Sequence, residues 1–333
     1  MRRIVLAAVV MTIGWFVTAR PPAAQPARPD TLSHTGLPSV LHEVNASTSP
    51  EIPDVTVSNP APPAAQDLAG DSLYQFIVHH ATTHYVTTAT TRNLARWRGG
   101  AQSICPLTGG LHPGDNAFVT ARLRALAAYV GAPVQSSPQC KVNVQILFTS
   151  NPEEGMDNVL KWATATATFG GRYSGGMRDL LAYQSGHAIQ GWYITTRGGA
   201  RVLNTDLALV GLDVLPVWPR IAQKYLGGGS GIGIGAVILI VDTTKVTGYS
   251  IGTIADYLAM LTLSVVQSPD RCDALPSILD VMSSSCTGRE RPTAMTAGDL
   301  AFLKALYYRN TGLGPSLSRA AIEDNMMRQF GVH

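Results

Sequence analysis

AVILIVDTTKVTGYSIGTIADYLAMLTL, which runs from Ala236 to Leu263, is the stretch that decides the fold. Its first part, residues 236–241, is continuously apolar, which is typical of a buried strand. After a polar loop, residues 254–266 are apolar almost all round and predict a helix that is buried on every side. Asp256 is the only charge in that helix. Because a buried carboxylate is costly unless it is paired, we expect Asp256 to cap the helix end or to face a cleft.

The loop between strand and helix contains a G-x-S-x-G motif, Gly248–Gly252, centred on Ser250. In α/β-hydrolases this turn presents a nucleophilic serine, which makes a secreted serine hydrolase using Ser250 the alternative function. That mechanism needs a histidine later in the chain, and the only one is His333, the last residue of the sequence. The competing interpretation is a helix N-terminus in which Thr253 and Asp256 form a capping box.

The N-terminus predicts a secretory signal peptide over residues 1–19. A positive start is followed by an apolar run, residues 4–17, and by small residues before a cleavage point. A membrane-spanning helix needs about 20 apolar residues, and this run is shorter and followed by prolines. Residues 20–68 are rich in Pro, Ala, Ser and Thr and predict a disordered tether, with one short edge strand near 52–57. We therefore expect a periplasmic or extracellular protein that meets the membrane only during export.

The remaining residues, 69–333, predict one α+β globular domain with a mixed sheet and with helices before and after it. The expected helices cover residues 71–80, 115–129, 153–162, 253–266, 275–283, 296–307 and 318–330. The expected strands cover residues 142–148, 189–195, 201–207 and 236–241. Asp115 or Asn116 is the expected cap of the second helix. The segment 197–199 reads as a hairpin-like connection between the second and third strands.

Charge and cysteine content limit the function classes. Lys plus Arg number 25 against 22 acidic residues, with no long basic stripe, so nucleic acid is not an expected partner. The four cysteines, in a chain that carries an export signal, predict two disulfides. Of the three possible connectivities we favour the neighbour pairing, Cys105 with Cys140 and Cys272 with Cys286, because it closes the shorter loops.

Two further clusters have both a structural and a functional interpretation. His79, His80 and His84 form the only histidine cluster, and a helix would place His80 and His84 on one face, where they could chelate a metal. The extended-structure composition of the residues around His84 favours ordinary surface or packing histidines instead. The glycine run over residues 227–235 leads into a strand rather than a helix, so it predicts a turn and no phosphate site.

The helix and its surroundings resemble a known enzyme class. Zinc proteases of the zincin class place His-Glu-x-x-His on a helix at this point, after a strand. The segment Thr296–Tyr307, with the pattern T-x-x-D-x-x-x-L-x-x-L-Y, is similar to the closing helix of matrixin-like zincins. The chain also resembles a family of exported proteobacterial proteins of unknown function through residues 104–106, 116–119, 131–134 and 254–260. The resemblance implies a degenerate zincin-like C-terminal half.

The zinc-ligand and general-base positions of that motif read Asp256, Tyr257 and Met260 here. A thioether is a poor zinc ligand, and a phenol cannot replace the glutamate as a base near neutral pH. The leading hypothesis is therefore a pseudoenzyme, a non-catalytic protein of the cell envelope that binds a peptide, a glycan or another protein. Asp256, Tyr257 and Met260, together with Trp192 and Tyr193 on an expected edge strand, are the candidate cleft residues. We expect no catalytic residue, metal or cofactor.

Overall fold

The computed structural model describes residues 56–64, 68, 72–80, 94–100, 103–137, 140–155, 187–195, 200–202, 234–266, 272–273, 275–308 and 319–332. The predicted signal peptide, most of the predicted tether, His84, the hairpin-like connection at 197–199 and the glycine run up to residue 233 lie outside these residues. So does most of the helix expected over 153–162. Thr56 and Val57, the described end of the expected edge strand near 52–57, are not part of a strand.

The described residues contain a five-stranded mixed sheet, five α-helices and, at residues 152–155, the first turn of another helix. The strands are β1 (Pro106–Gly109), β2 (Val144–Thr149), β3 (Ile189–Thr195), β4 (Ala200–Val202) and β5 (Ile234–Asp242). The helices are α1 (Ser72–His80), α2 (Pro113–Tyr129), α3 (Ile251–Leu263), α4 (Ala297–Tyr307) and α5 (Arg319–Gln329). The predicted α+β class with a mixed sheet is confirmed.

The strand order in the sheet is β1-β2-β5-β3-β4. The pairs β1–β2 and β2–β5 are parallel, whereas β3 is antiparallel to both β5 and β4. Strand β5 is therefore central, which explains why its sequence is continuously apolar rather than alternating. Strand β2 alternates between buried and partly exposed residues, as a strand with one covered face does.

The sequence did not predict strand β1, because its four residues, P-L-T-G, include a proline and a glycine and are too few for a periodic pattern. Directly after it, Gly110 adopts a φ of +93°, and a Cβ at this position would lie 1.8 Å from the Phe148 carbonyl oxygen. Only glycine fits there, since the chain turns against β2 on its way into α2.

Helix α2 begins two residues earlier than predicted, at Pro113. Its N-cap is His112, whose side chain accepts a hydrogen bond from the Gly114 N–H. The expected caps, Asp115 and Asn116, are wrong. Proline suits the first helical position because the N–H it lacks would have no partner there. The Asn116 side chain instead holds the preceding turn through both the N–H and the carbonyl of Leu111.

Helix α3 is the buried helix that the sequence predicts. Every residue from Thr253 to Leu263 is buried, and α3 packs against α2. A helix that is apolar on all sides requires this environment. Its cap differs from the predicted capping box, because the N-cap is Ser250, which accepts a hydrogen bond from the Thr253 N–H.

The C-terminal part packs α4, α5 and α1 together. Thr296 and Asp299 form a capping box at the start of α4, and Phe302 of α4 contacts Phe76 of α1 edge to face. The helix expected over 275–283 is wrong, since the structure has only a 3-10 helix at Ile278–Val281. Pro276 lies just before it and Ser277 caps it, so an α-helix has no room to begin at Leu275.

Both disulfides follow the neighbour pairing, Cys105 with Cys140 and Cys272 with Cys286. Disulfides persist in oxidising compartments outside the cytosol. Within the described residues, no helix has the length and apolar character needed to cross a membrane.

Candidate functional site

Asp256 lies in a buried ion pair whose partner could not be identified from the sequence alone. Arg122 of α2 donates from Nε to Asp256 Oδ1 at 2.6 Å and from Nη2 to Oδ2 at 3.0 Å. The Met295 N–H donates to Oδ2 at 2.8 Å. The Asp256 side chain is 1 % exposed and that of Arg122 is 13 % exposed. This two-point pairing supplies the charge and the hydrogen bonds that a buried carboxylate requires.

The same arginine extends the network to residues 56 and 57, which precede α1 in the sequence. Arg122 Nη1 donates to the carbonyl oxygen of Thr56, and Val57 beside it packs against the core. Arg122 thus joins α2, α3 and the segment that starts at residue 56. Asp256 therefore acts neither as a partner of Thr253 in a capping box nor as an acid facing solvent.

The other candidate cleft residues lie in two places. Tyr257 is 4 % exposed and Met260 is 0 % exposed, so both belong to the interior around α3. Tyr193 is also buried, and its hydroxyl donates to the Leu261 carbonyl oxygen of α3 at 2.7 Å. Trp192 lies next to it on β3. The predicted edge position of these two residues is wrong, because β3 lies between β5 and β4.

Ser250, the alternative nucleophile, is bonded to its own helix. Its Oγ accepts from the Thr253 N–H at 3.1 Å and lies 2.8 Å from Thr253 Oγ1. Among the described residues its hydrogen-bond partners include no histidine. A serine acts as a nucleophile only when a base is within hydrogen-bond reach, so this geometry favours capping.

Replacing Ser250 with alanine is expected to lower the free energy of unfolding by about 1 kcal/mol, the usual effect of losing an N-cap. Replacement with glycine, which is tolerated at this position, should cost only a few tenths of a kcal/mol. Urea denaturation of the two variants beside the parent protein measures both values. Equal losses in the two variants would contradict the capping role.

A second cluster of polar groups, found only in the structure, surrounds His80. Its Nδ1 lies 2.7 Å from the Phe76 carbonyl oxygen, and its Nε2 lies 2.9 Å from Ser277 Oγ. Ser277 Oγ in turn lies 2.7 Å from Asp299 Oδ1. His80, Ser277 and Asp299 are 3 %, 1 % and 0 % exposed.

This cluster contains a serine, a histidine and carboxylates, as hydrolytic triads do, but its environment is different. A second carboxylate, Asp273, pairs with His79 Nδ1, and its Oδ2 lies 3.8 Å from His80 Nδ1. The His80 ring stacks on Phe76 with ring centroids 3.9 Å apart. Ser277 also accepts from the Leu279 N–H as the cap of the 3-10 helix. A nucleophile enclosed in this way offers no surface to a substrate.

Burial sets the protonation of this cluster. It lowers the pKa of His80 below its ordinary value of 6.5, although the Asp299 and Asp273 charges act in the opposite direction. Burial also raises the pKa of Asp299, against the effect of His80 and of its hydrogen-bond donors. Burial raises the pKa of the neighbouring Asp280 to about 6. Low-dielectric surroundings disfavour each charged form.

Two histidines of the alternative metal-binding hypothesis have separate partners. His79 pairs with Asp273, and His80 bonds to Phe76 and Ser277. Within the described residues, the one group of three potential ligand side chains is Cys272, Asp280 and Cys286, with ligand atoms within 4.8 Å of one another. Because the two cysteines form a disulfide, neither has a thiolate to offer a metal.

Sequence reasoning missed the His80 cluster because its members are far apart along the chain. The T-x-x-D pattern at Thr296 and Asp299 was visible, but nothing in the sequence joins it to Ser277 or to α1. Comparison with family models, with curated proteins and with solved structures gives no match for this chain.

Proposed function

We propose that this chain is an exported, non-catalytic protein of the cell envelope, with a zincin-like frame that has lost its zinc chemistry and acts by binding. Three features support export: the signal-peptide pattern over residues 1–19, the tether-like composition that follows it, and the two disulfides. Disulfides of this kind need an oxidising compartment to form and persist.

The observation that carries the non-catalytic part is the use of Asp256. A zinc hydrolase needs its helix to present metal ligands and a base to an open position where water and substrate meet. Here Asp256 is bonded to Arg122 and to the Met295 N–H, and Tyr257 and Met260 lie in the core. These three side chains stabilise the packing of α3. None of them is therefore available as a metal ligand.

The order of elements supports the proposed zincin-like frame. The central strand β5 leads through a short loop into the buried helix α3, and a capped closing helix, α4, follows. The Asp256 carboxylate bonds to Met295, just before the Thr296 cap of α4. The two helices of the resemblance are thus joined through the position that would have held a zinc ligand.

Binding by such a protein uses exposed side chains, because those around α3 are enclosed. Tyr308, at the end of α4, is the most exposed large apolar side chain among the described residues, at 56 %, and Tyr74 of α1 is exposed at 41 %. Aromatic side chains with a polar tip suit contacts with peptides and glycans. We propose a peptide, a glycan or an envelope protein as the partner class.

The test uses the protein secreted to the periplasm with its disulfides formed. The mature protein is expected to contain zinc well below one equivalent after purification without chelators, and to hydrolyse neither peptide nor ester substrates. It is expected to co-sediment with isolated cell-wall sacculi or to form cross-links with an envelope protein inside cells. The Tyr308→Ser variant should weaken this association at unchanged stability.

Several results would overturn this proposal. Stoichiometric zinc lost on replacing His80 would establish the metal-binding hypothesis. Ester hydrolysis that disappears in Ser250→Ala but not in Ser277→Ala would establish the serine hydrolase hypothesis, and the reverse pattern would assign catalysis to the His80 cluster. Retention of the protein in the cytoplasm would contradict the proposed export.

A further inference from the structure

The hydrogen bonds that link Phe76, His80, Ser277 and Asp299 in one chain can all form only if the right number of hydrogens is present. The Phe76 carbonyl can only accept, so His80 Nδ1, 2.7 Å away, must carry a hydrogen. Two contacts remain, His80 Nε2 to Ser277 Oγ at 2.9 Å and Ser277 Oγ to Asp299 Oδ1 at 2.7 Å. Each contact needs one hydrogen between its two atoms.

The serine hydroxyl supplies only one of these two hydrogens. If His80 is neutral and Asp299 ionised, one contact brings two lone pairs together in a buried site, which is strongly unfavourable. The second hydrogen must therefore come from an added proton. It either resides on His80 Nε2 and is donated to Ser277, or resides on Asp299 Oδ1 and is donated to Ser277 in the other direction.

We propose that the folded protein binds one proton in this chain, shared between His80 and Asp299 through Ser277, and that this proton holds α1 against α4. The bound proton completes every hydrogen bond from the Phe76 carbonyl to the Asp299 carboxyl. Its loss breaks either the His80–Ser277 contact or the Ser277–Asp299 contact, which together link α1 to α4 through Ser277.

The position of the proton follows from the other bonds of Asp299. Its Oδ2 already accepts from the Ile278 N–H at 2.8 Å and from the Thr296 N–H at 2.9 Å. A proton on Asp299 therefore occupies Oδ1, which faces Ser277. Burial lowers the pKa of His80 and raises the pKa of Asp299, and both effects favour the form in which His80 is neutral and Asp299 carries the proton.

Charged groups from several elements surround the hydrogen-bond chain from His80 to Asp299. His79 of α1, Asp299 of α4 and Asp273, which precedes the 3-10 helix, act on His80. Asp299 also acts on Asp280 of the 3-10 helix. The Arg289 guanidinium donates to the Asp273 carbonyl oxygen. Helix α5 also packs on α1, but its buried residues are the apolar Ile322 and Met326.

The pH dependence follows from comparing folded and unfolded chains. The unfolded His80 and Asp299 have pKa values near 6.5 and 3.8, so together they hold two protons below about pH 3.8, one up to about pH 6.5 and none above. In this proposal the folded pair holds one proton throughout, and it keeps that proton above pH 6.5 because its release would break a buried hydrogen bond. Its contribution to stability is therefore level from about pH 4 to 6.5.

Stability decreases on both sides of that range for different reasons. Above pH 6.5 the folded chain binds the extra proton, so the folding equilibrium constant falls about tenfold per pH unit until the folded pair releases the proton. Below about pH 4 the unfolded chain binds more protons, so stability falls as the pH falls.

The test compares Asp299→Asn with Asp280→Asn. An asparagine amide at 299 can donate to Ser277 as a protonated carboxyl does, and its oxygen can still accept from Ile278 and Thr296. We expect D299N to fold and to lose the tenfold-per-unit slope between about pH 6.5 and 8.5 that the parent shows. D280N changes a nearby carboxyl that is not part of the hydrogen-bond chain from His80 to Asp299. This variant should keep that slope.

Two independent readouts accompany the denaturation curves. Calorimetry in buffers of different ionisation enthalpy should show release of about one more proton on unfolding at pH 8 for the parent than for D299N. Nitrogen-15 NMR of the His80 ring should show a protonated Nδ1 across this range. A D299N slope equal to that of the parent, or an unprotonated Nδ1, would overturn the proposal.

Discussion

Replacing Arg122 with leucine is expected to lower the free energy of unfolding by about 3–5 kcal/mol, the range seen when one partner of a buried ion pair is removed. The loss is large because Asp256 stays where it is, 1 % exposed, with its charge no longer balanced. The Met295 N–H alone cannot compensate for a desolvated carboxylate. Guanidinium denaturation at pH 7 measures the change.

A matched control is available in a pair whose lysine is exposed and whose carboxylate also accepts hydrogen bonds from Thr244. Lys245 lies 3.5 Å from Asp242, and its side chain is 37 % exposed. Replacing Lys245 with leucine should cost less than about 1 kcal/mol, since water and salt already screen such pairs. A similar loss for the two variants would mean that burial of the Arg122 pair is not the reason for its effect.

A second variant separates lost charge balance from lost packing. Adding Asp256→Asn to Arg122→Leu removes the unpaired charge, while the asparagine oxygen can still accept from the Met295 N–H. We expect this double variant to be more stable than Arg122→Leu alone. Failure of D256N to recover any stability would show that the arginine stem, rather than the ion pair, stabilises the contact between α2 and α3.

The elements with strong periodic patterns were predictable from the sequence. The apolar run at 236–241 became the central strand, and the apolar helix after it is buried on every side, because continuous hydrophobicity leaves no other stable environment. The helix expected over 296–307 is present as α4, and the structure adds that Thr296 caps it in a capping box with Asp299. In each case the signal lies within about a dozen consecutive residues.

The side-chain partners were not predictable, because they come from distant parts of the chain. Arg122 and Asp256 are 134 residues apart, and His80 and Ser277 are 197 apart. Sequence reasoning could state that Asp256 needed a partner, but choosing Arg122 requires the packing of α2 on α3. The same limit explains why the capping-box role for Asp256 was wrong.

Short elements were the other source of error. Strand β1 has four residues, and the turn after it depends on Gly110, whose role is visible only once β2 lies against it. The 3-10 helix at Ile278–Val281 was expected as a longer α-helix because its residues are apolar. Composition alone does not distinguish these alternatives over so few residues.

Removing the Cys105–Cys140 disulfide by a double alanine replacement is expected to lower the free energy of unfolding by about 4 kcal/mol. The bond spans 35 positions along the chain, so the unfolded protein gains considerable freedom when it is absent. It also fixes Cys105, which is 2 % exposed, next to the start of β1. Urea denaturation of the variant and of the parent, both oxidised so that Cys272–Cys286 stays intact, measures the loss.

Hydrogen bonds of the Asn143 side chain connect the same two segments and make this prediction more specific. The Asn143 side chain accepts from the Cys105 N–H at 2.8 Å and donates to the Ser103 carbonyl oxygen at 2.9 Å. While the disulfide is present, it limits how far Cys105 can separate from Asn143. Without the disulfide, these side-chain hydrogen bonds and those from the Asn143 and Val144 N–H groups to the Cys105 carbonyl oxygen still join β1 to the entry to β2.

Asn143→Ala should therefore cost more in the disulfide-free background than in the parent. The free-energy coupling between the two sites, taken from a double-mutant cycle, is expected to lie in the range of about 0.5–3 kcal/mol found for residues in contact. Simple additivity would show that the two links act independently. A disulfide loss below about 1 kcal/mol would show that the bond constrains the unfolded chain too little to explain its place at the edge of the sheet.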